Sequence, residues 1–213
     1  MKKIISNIIL IYSLSLNVLA ADYQSGRDKS KVCSACHGVD GNSLQVAFPK
    51  IAGQNETYIL KQLKDFKSQK RKDPTMFGMV TPLSDKDMAD LAHYYANNEV
   101  AVNTEKYDKD LIVLGEKLYR AGNKDRNITA CQACHGPKGQ GIPSAKFPAV
   151  KFQYIAYTEK QLINFRQAAF NKQQNTSGNN ARENDVAGIM RDVAKNLTNK
   201  EIKAVAQYIA KLH

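Results

Sequence analysis

Cys33-Ser34-Ala35-Cys36-His37 returns, with one residue changed, as Cys131-Gln132-Ala133-Cys134-His135. The form C-x-x-C-H is the attachment pattern of a c-type haem. Its spacing has a chemical reason. Two cysteines three apart on one helical turn reach the two vinyl groups of one porphyrin and form thioethers with it. The histidine that follows is then placed beneath the iron as an axial ligand. Two other readings compete. A zinc site takes four ligands, commonly two cysteine pairs near each other in sequence. These pairs lie 98 residues apart, each in its own copy of a repeat. A thioredoxin-like C-x-x-C needs a βαβ setting, and the sequence shows no convincing strand pattern. All four cysteines belong to the two motifs, so none is left for a disulfide. The expectation is two covalently bound haem c groups, one on Cys33 and Cys36, the other on Cys131 and Cys134.

Working outward, the repeat aligns within the chain itself. Phe48-Pro49 matches Phe147-Pro148 at an offset of 99, as do Tyr58, Lys61-Gln62-Leu63 and Phe66 with Tyr157, Lys160-Gln161-Leu162 and Phe165. Further on, Leu83-Ser84 matches Leu197-Thr198 at an offset of 114, and so do Tyr94 and Tyr208. The change places an insertion of 15 residues in the second copy. The polar run Asn171 to Asp185 is its obvious place, and its composition reads as a solvated loop.

Each copy predicts three main helices. The first covers Ser25 to Cys36 and Asp108 to Ala121, with an extra loop from Gly122 to Ala130 before the second motif. The next helices cover Glu56 to Lys67 and Glu159 to Phe170, the latter opened by a capping box at Thr158-x-x-Gln161. The last cover Asp85 to Asn97 and Asn199 to Leu212, started by Ser84-x-x-Asp87 and Thr198-x-x-Glu201. Ile202, Val205, Ala206, Ile209 and Leu212 share one face. The expected organisation is a signal peptide at 1–20, domains at 21–97 and 108–213, and a linker at 98–107. Domains this small are marginal on their own core, and a buried porphyrin would fill it.

Lys2 and Lys3, the apolar stretch Ile4 to Leu19 and the small-residue site Val18-Leu19-Ala20 have the pattern of a secretory signal, which would leave Ala21 first. The competing reading is a retained anchor, because Ile4 to Ala21 is just long enough to span a bilayer. Export suits c-type haem, which is attached outside the cytoplasm. The whole chain carries 31 basic and 20 acidic residues, a formal charge of +11; without Lys2 and Lys3 it carries 29 against 20, or +9. Such a surface suits an acidic docking partner or an anionic membrane. No nucleic-acid partner is expected, since an exported chain without a binding motif gives one no support.

The sixth iron position decides the chemistry, since an open position binds ligands and a filled one passes electrons. Apart from Met1, the methionines are Met76, Met79, Met88 and Met190. Met76 lies seven residues before Leu83 and Met190 seven before Leu197, so the repeat pairs them at an offset of 114. Met79 and Met88 pair with Val193 and Ile202 and read as packing residues. The expected axial pairs are therefore His37 with Met76 and His135 with Met190. Thioether ligation raises the reduction potential. Pro49 and Pro148 follow the histidines by 12 and 13 residues, where a backbone carbonyl can accept the other ring N–H and fix the imidazole. His93 and His213 belong to no motif and read as surface residues.

These residues make the chain resemble the cytochrome c4 family, two-haem proteins of the periplasm. The likeness is most specific at Cys33 to Ser43, Phe48 to Gln54, Tyr58 to Leu63, Gly78 to Ser84 and Leu197 to Ile202. It implies an all-α fold of two tandem class I cytochrome c domains, each with about three main helices around a covalent haem. It also implies haems close enough to exchange electrons, and axial methionines at Met76 and Met190. Its implied role is to carry electrons from an upstream donor, such as a quinol-oxidising complex, towards a terminal oxidase. The chain departs from the pattern before Met76, where it is shorter, and before Met190, where it is longer. It departs again at Val150-Lys151-Phe152-Gln153, which stands where the first copy has Ile51-Ala52-Gly53-Gln54. Two alternatives stay open: the cytochrome subunit of a periplasmic dehydrogenase such as a sulfide-oxidising flavoprotein, and a haem enzyme with one open iron position.

Overall fold

Asp22 starts the first helix, its carboxylate accepting the Ser25 N–H at 2.6 Å. From there the computed structural model describes residues 20–174 and 181–213. The expected signal segment falls outside these residues but for its last position. The described elements are helices α1 (Tyr23–Lys29), α2 (Ser34–His37), α3 (Glu56–Lys67), α4 (Pro74–Val80) and α5 (Asp85–Ala96), then α6 (Lys109–Ala121), α7 (Gln132–His135), α8 (Ile155–Gln174), α9 (Ile189–Ala194) and α10 (Asn199–Lys211), with short 3-10 turns between some of them. No strand forms among the described residues, only isolated bridges at Asn123–Ile128 and Ile142–Phe147. The chain is all-α.

The same crossing builds both repeats: α1 packs on α5 and α6 packs on α10. Each crossing is made at a glycine. A side chain on Gly26 would overlap the Asp90 carbonyl and come within 2.7 Å of Tyr94 Cβ; one on Gly115 would overlap the Ala204 carbonyl and come within 2.8 Å of Tyr208 Cβ. Without a Cβ the two backbones meet directly, and the tyrosines lie over the contact. Beside it, Tyr119 donates to the Gly136 carbonyl at 2.7 Å, and Tyr94 to that of Val39 at 2.9 Å. Last helix and first helix are thereby tied to the loop after each motif. Capping boxes at Ser84/Asp87 and Thr198/Glu201 set where α5 and α10 begin.

Several local expectations fail for physical reasons. The helix from Ser25 to Cys36 is broken, because Ser30 is buried and its hydroxyl takes the Arg27 carbonyl at 2.7 Å. Such side-chain bonds compete with the helical ladder, and a 3-10 turn follows. Thr158 does not cap a helix: α8 begins at Ile155, and the Thr158 N–H already bonds the Tyr154 carbonyl. The run Asn171 to Asp185 is only partly a solvated loop where it is described. Its start continues α8 with Asn171 buried, and Arg182 is 8 % exposed. The short helix α4 was also unforeseen. Asp73 caps it by accepting the Met76 N–H at 3.0 Å, and Pro74 occupies its first turn, where a proline needs no N–H.

Between the repeats lies an interface of polar groups arranged with a pseudo-two-fold. Arg71 reaches Gln62 in its own repeat and Tyr157 and Gln161 in the other, at 2.7–3.1 Å. Arg182 reaches Gln161 in its own repeat and Tyr58 and Gln62 in the other, at 2.7–3.2 Å. Each guanidinium also stacks on a phenylalanine of its own repeat, Arg71 on Phe66 and Arg182 on Phe165. The connecting segment is strapped down rather than slack. Lys50 donates to the Ala101 carbonyl at 2.6 Å, and Asn103 donates to Gln153 and Glu105.

Gly115→Ala should therefore unfold more easily. Alanine is worth about 1 kcal/mol more than glycine in a helix, but overpacking against rigid backbone costs about 3 kcal/mol. Denaturant titration of the haem-loaded protein is expected to show a net loss of about 2 kcal/mol. Glu201 gives a pH test. Burial opposes its charge, yet the Thr198 donors and Arg126, at 2.6–2.7 Å, hold its carboxyl below the usual range. Its contribution is full above the ordinary glutamate range and is lost as pH falls through its lowered value. Glu201→Gln is expected to lose about 1.5 kcal/mol at neutral pH, and the gap to wild type should close in acid.

Candidate functional site

Each C-x-x-C-H motif sits on one short turn. His37 N–H bonds the Cys33 carbonyl at 3.0 Å and His135 N–H the Cys131 carbonyl at 2.9 Å. Both cysteines and the histidine of a motif are thus carried by a single helical turn. The turn stops at Gly38 and Gly136, with φ of 79° and 77°, values only glycine adopts without strain. A Cβ on Gly38 would also overlap the Asn42 carbonyl.

His37 and His135 are 9 % and 8 % exposed. Each Nδ1 lies 2.9 Å from a proline carbonyl, Pro49 for His37 and Pro148 for His135. A carbonyl can only accept, so Nδ1 carries the proton and donates. The Nε2 lone pair is then left for a metal. Burial lowers both imidazole pKa values, with the carbonyl bond opposing it, which favours the neutral, ligating form.

The thiols argue in the same direction. Burial pushes Cys33 up and Cys131 up to about 12. A redox C-x-x-C works through a lowered thiol pKa, so this environment is the reverse of one. Nor do the described residues bring three or more His, Cys, Asp or Glu together as a metal cage. Thioether attachment consumes both sulfurs and needs no thiolate at rest. Other groups fit a porphyrin as well. Tyr95 Oη is buried beside Cys33. Arg71 and Arg182 have no carboxylate partner in an ion pair among the described residues, and a group bearing carboxylates suits them.

Of the methionines, Met76 is half-buried on α4, which packs on α3 of the first repeat. Met190 is half-buried on α9, which packs on α8, and it borders the same apolar cluster as Cys131. Met79 is 38 % exposed and Met88 is 1 % exposed inside the core. His93 is half-buried and bonded to Glu56 at 2.9 Å, and His213 is exposed. Neither stands near a motif in sequence or bonds to one.

The repeat aligns Gln62 with Gln161 and Gln54 with Gln153 at the offset of 99, but the sequence alone gives no interface role to these glutamines or to the arginines. Arg71 and Arg182 obey neither offset, because the insertion shifts the second, so only the folded chain pairs them.

The family model described as cytochrome c matches residues 27–98 and 112–213. Cytochrome c4 of Pseudomonas aeruginosa is 40 % identical over the full length of both chains. A protein of Stutzerimonas stutzeri described as a thiosulfate dehydrogenase electron acceptor is 33 % identical, with 92 % of this chain and 89 % of that one covered. The crystal structure of reduced recombinant cytochrome c4 from Pseudomonas stutzeri superposes with a TM-score of 0.80 at 42 % identity, covering 91 % of this chain and all of that one. Repeat, fold and motif geometry agree with these likenesses: the chain belongs to the cytochrome c4 family, and it is a two-haem electron-transfer cytochrome with both haems covalently held.

Proposed function

We propose that the mature chain starts at Ala21, works in the periplasm and passes single electrons between protein partners through two six-coordinate irons. His37 and Met76 hold one iron, His135 and Met190 the other, with Cys33, Cys36, Cys131 and Cys134 as the thioether anchors. The observation that carries this reading is the committed Nδ1 of each buried histidine together with one half-buried methionine at the matching place of each repeat. Histidine and thioether ligation supply a one-electron couple of raised potential. The chain's own residues do the rest. The proline carbonyls fix each imidazole, and buried apolar side chains exclude water. Arg71 and Arg182 offer charge to the porphyrin carboxylates. Domains at 21–97 and 108–213, joined at 98–107, are the units of this design.

Surface charge separates the two ends. Residues 108–213 hold 17 lysines and arginines against 9 acids, and residues 21–97 hold 11 against 9. The second domain is the end suited to an acidic partner or an anionic membrane surface. In this reading an upstream quinol-oxidising complex supplies electrons and a terminal oxidase takes them. A second reading is favoured by the relative named as the electron acceptor of a thiosulfate dehydrogenase: the donor would then be a periplasmic dehydrogenase. The enzyme reading loses support because each histidine has a methionine counterpart. Among the described residues no helix is long and apolar enough to cross a membrane.

Three outcomes check the proposal. Intact mass of the exported protein should equal residues 21–213 plus two haems; a mass retaining residues 1–20 would mean a kept anchor. The reduced protein should be inert to carbon monoxide. Met76→Ala and Met190→Ala should each leave one of the two haems high-spin, carbon monoxide-binding and lower in potential, while Met79→Ala should leave both spectra unchanged.

A further inference from the structure

One planar peptide unit joins Pro49 to Lys50, and it is bonded on both sides. Its carbonyl accepts the His37 Nδ1–H at 2.9 Å. Its N–H, on Lys50, donates to Oε1 of Gln153 in the other repeat at 3.0 Å. Gln153 Nε2 then donates to the Lys50 carbonyl at 2.9 Å, closing a ring. The second repeat mirrors this. The Pro148–Ala149 peptide accepts the His135 Nδ1–H at 2.9 Å. Its N–H donates to Gln54 Oε1 and the Ala149 carbonyl accepts from Gln54 Nε2, both at 2.8 Å. Each histidine is thus held by a peptide that is itself held by a glutamine of the opposite repeat.

The glutamines are aimed with some rigidity. The residues just before them, Gly53 and Phe152, sit at φ of 63° and 59°. Their N–H groups bond the carbonyls of Tyr95 and Ile209, at 2.9 and 3.1 Å. A left-handed conformation is free for glycine but strained for phenylalanine. Such strain persists only where the surroundings over-determine it. Both glutamine oxygens also accept the N–H of the next residue, Asn55 or Tyr154, so the amides cannot flip without losing bonds.

We propose that Gln54 and Gln153 are crossed positioning residues, each tuning the iron of the repeat it does not belong to. A peptide is conjugated from N to O, so donating its N–H makes its carbonyl a better acceptor, as in any hydrogen-bonded chain. Gln153 therefore strengthens the His37–Pro49 bond, and Gln54 the His135–Pro148 bond. A stronger bond makes the imidazole more basic, and a more basic ligand favours the ferric iron and lowers the potential. The repeats gain a route by which docking or redox change at one end is felt at the other. The inference rests on histidine ligation as proposed above.

The test is a haem-resolved redox titration by paramagnetic NMR on the two-haem protein, with exchange of the two imidazole Hδ1 protons followed alongside. Gln153→Leu should raise the potential of the haem on Cys33 and Cys36 and speed Hδ1 exchange at His37 about tenfold. The other haem should stay as it was. Gln54→Leu should do the mirror image. Gln153→Glu keeps the acceptor for Lys50 N–H, so His37 exchange should stay slow. Asn184 donates to Gln62 and Asp65 across the same interface at 2.9 and 2.6 Å and touches neither peptide, so Asn184→Leu should show no crossed pattern. Shifts in the mutated repeat's own haem, equal shifts in both, or no shift would overturn the proposal. A high-spin iron in the wild type would overturn the ligation instead.

Discussion

A buried imidazole with its Nδ1 proton fixed on a proline carbonyl is the constraint around which each repeat is built. The carbonyl selects the tautomer, frees Nε2 and sets the ring plane. It can do so only because the chain between motif and proline is short and turns sharply. Gly38 and Gly136 end the motif turn at positive φ, and the loop tyrosine bonds then hold that turn to the helix pair. The glycine-made crossing of first and last helices is what makes the pair rigid enough to serve. Loss of backbone contact there would loosen the tyrosine, then the loop, then the histidine.

The two repeats are neither independent nor identical. Their interface exchanges partners at the same offset of 99 that relates the sequences: Gln54 meets residue 149 and Gln153 meets residue 50. Residues duplicated together can contact each other's copies in this way, so one set of side chains supplies both halves of the contact. The asymmetry lies outside it. The loop after the first motif exposes Val39, Leu44 and Val46, whereas the loop after the second carries Lys138 and Lys146, both exposed. One frame thus presents an apolar approach to one haem site and a basic approach to the other.

What was legible in the sequence was what local chemistry decides. The motifs, the capping boxes at Ser84 and Thr198 and the face of α10 all depend on residues within a few positions of each other. Asp73-Pro74 was a helix start of the same local kind, hidden by the apparent shortness of the segment. Thr158-x-x-Gln161 misled because a four-residue window cannot see that α8 had already begun, or that Gln161 serves two arginines. Arg182 is the instructive case. Its setting of Asn, Gly and Glu reads as solvated, and burying a guanidinium is expensive unless it is fully bonded. Its partners Tyr58 and Gln62 lie 124 and 120 residues away, beyond any composition argument.

The polar character of the interface has a consequence for electron transfer. An apolar interface would hold the domains equally well but would respond little to a change of charge on either iron. Hydrogen-bonded peptides and buried guanidinium groups respond strongly, because a low-dielectric setting leaves their dipoles unscreened. Oxidising one iron adds a positive charge that the shared network must accommodate, so the second iron is affected through the same bonds. If the crossed bonds act as proposed, a carrier built this way would have potentials that depend on its partner as well as on its ligands. An acidic protein seated on the basic second domain would stabilise the ferric state there first. Electrons would then be drawn towards the first domain, and docking itself would set the direction of flow.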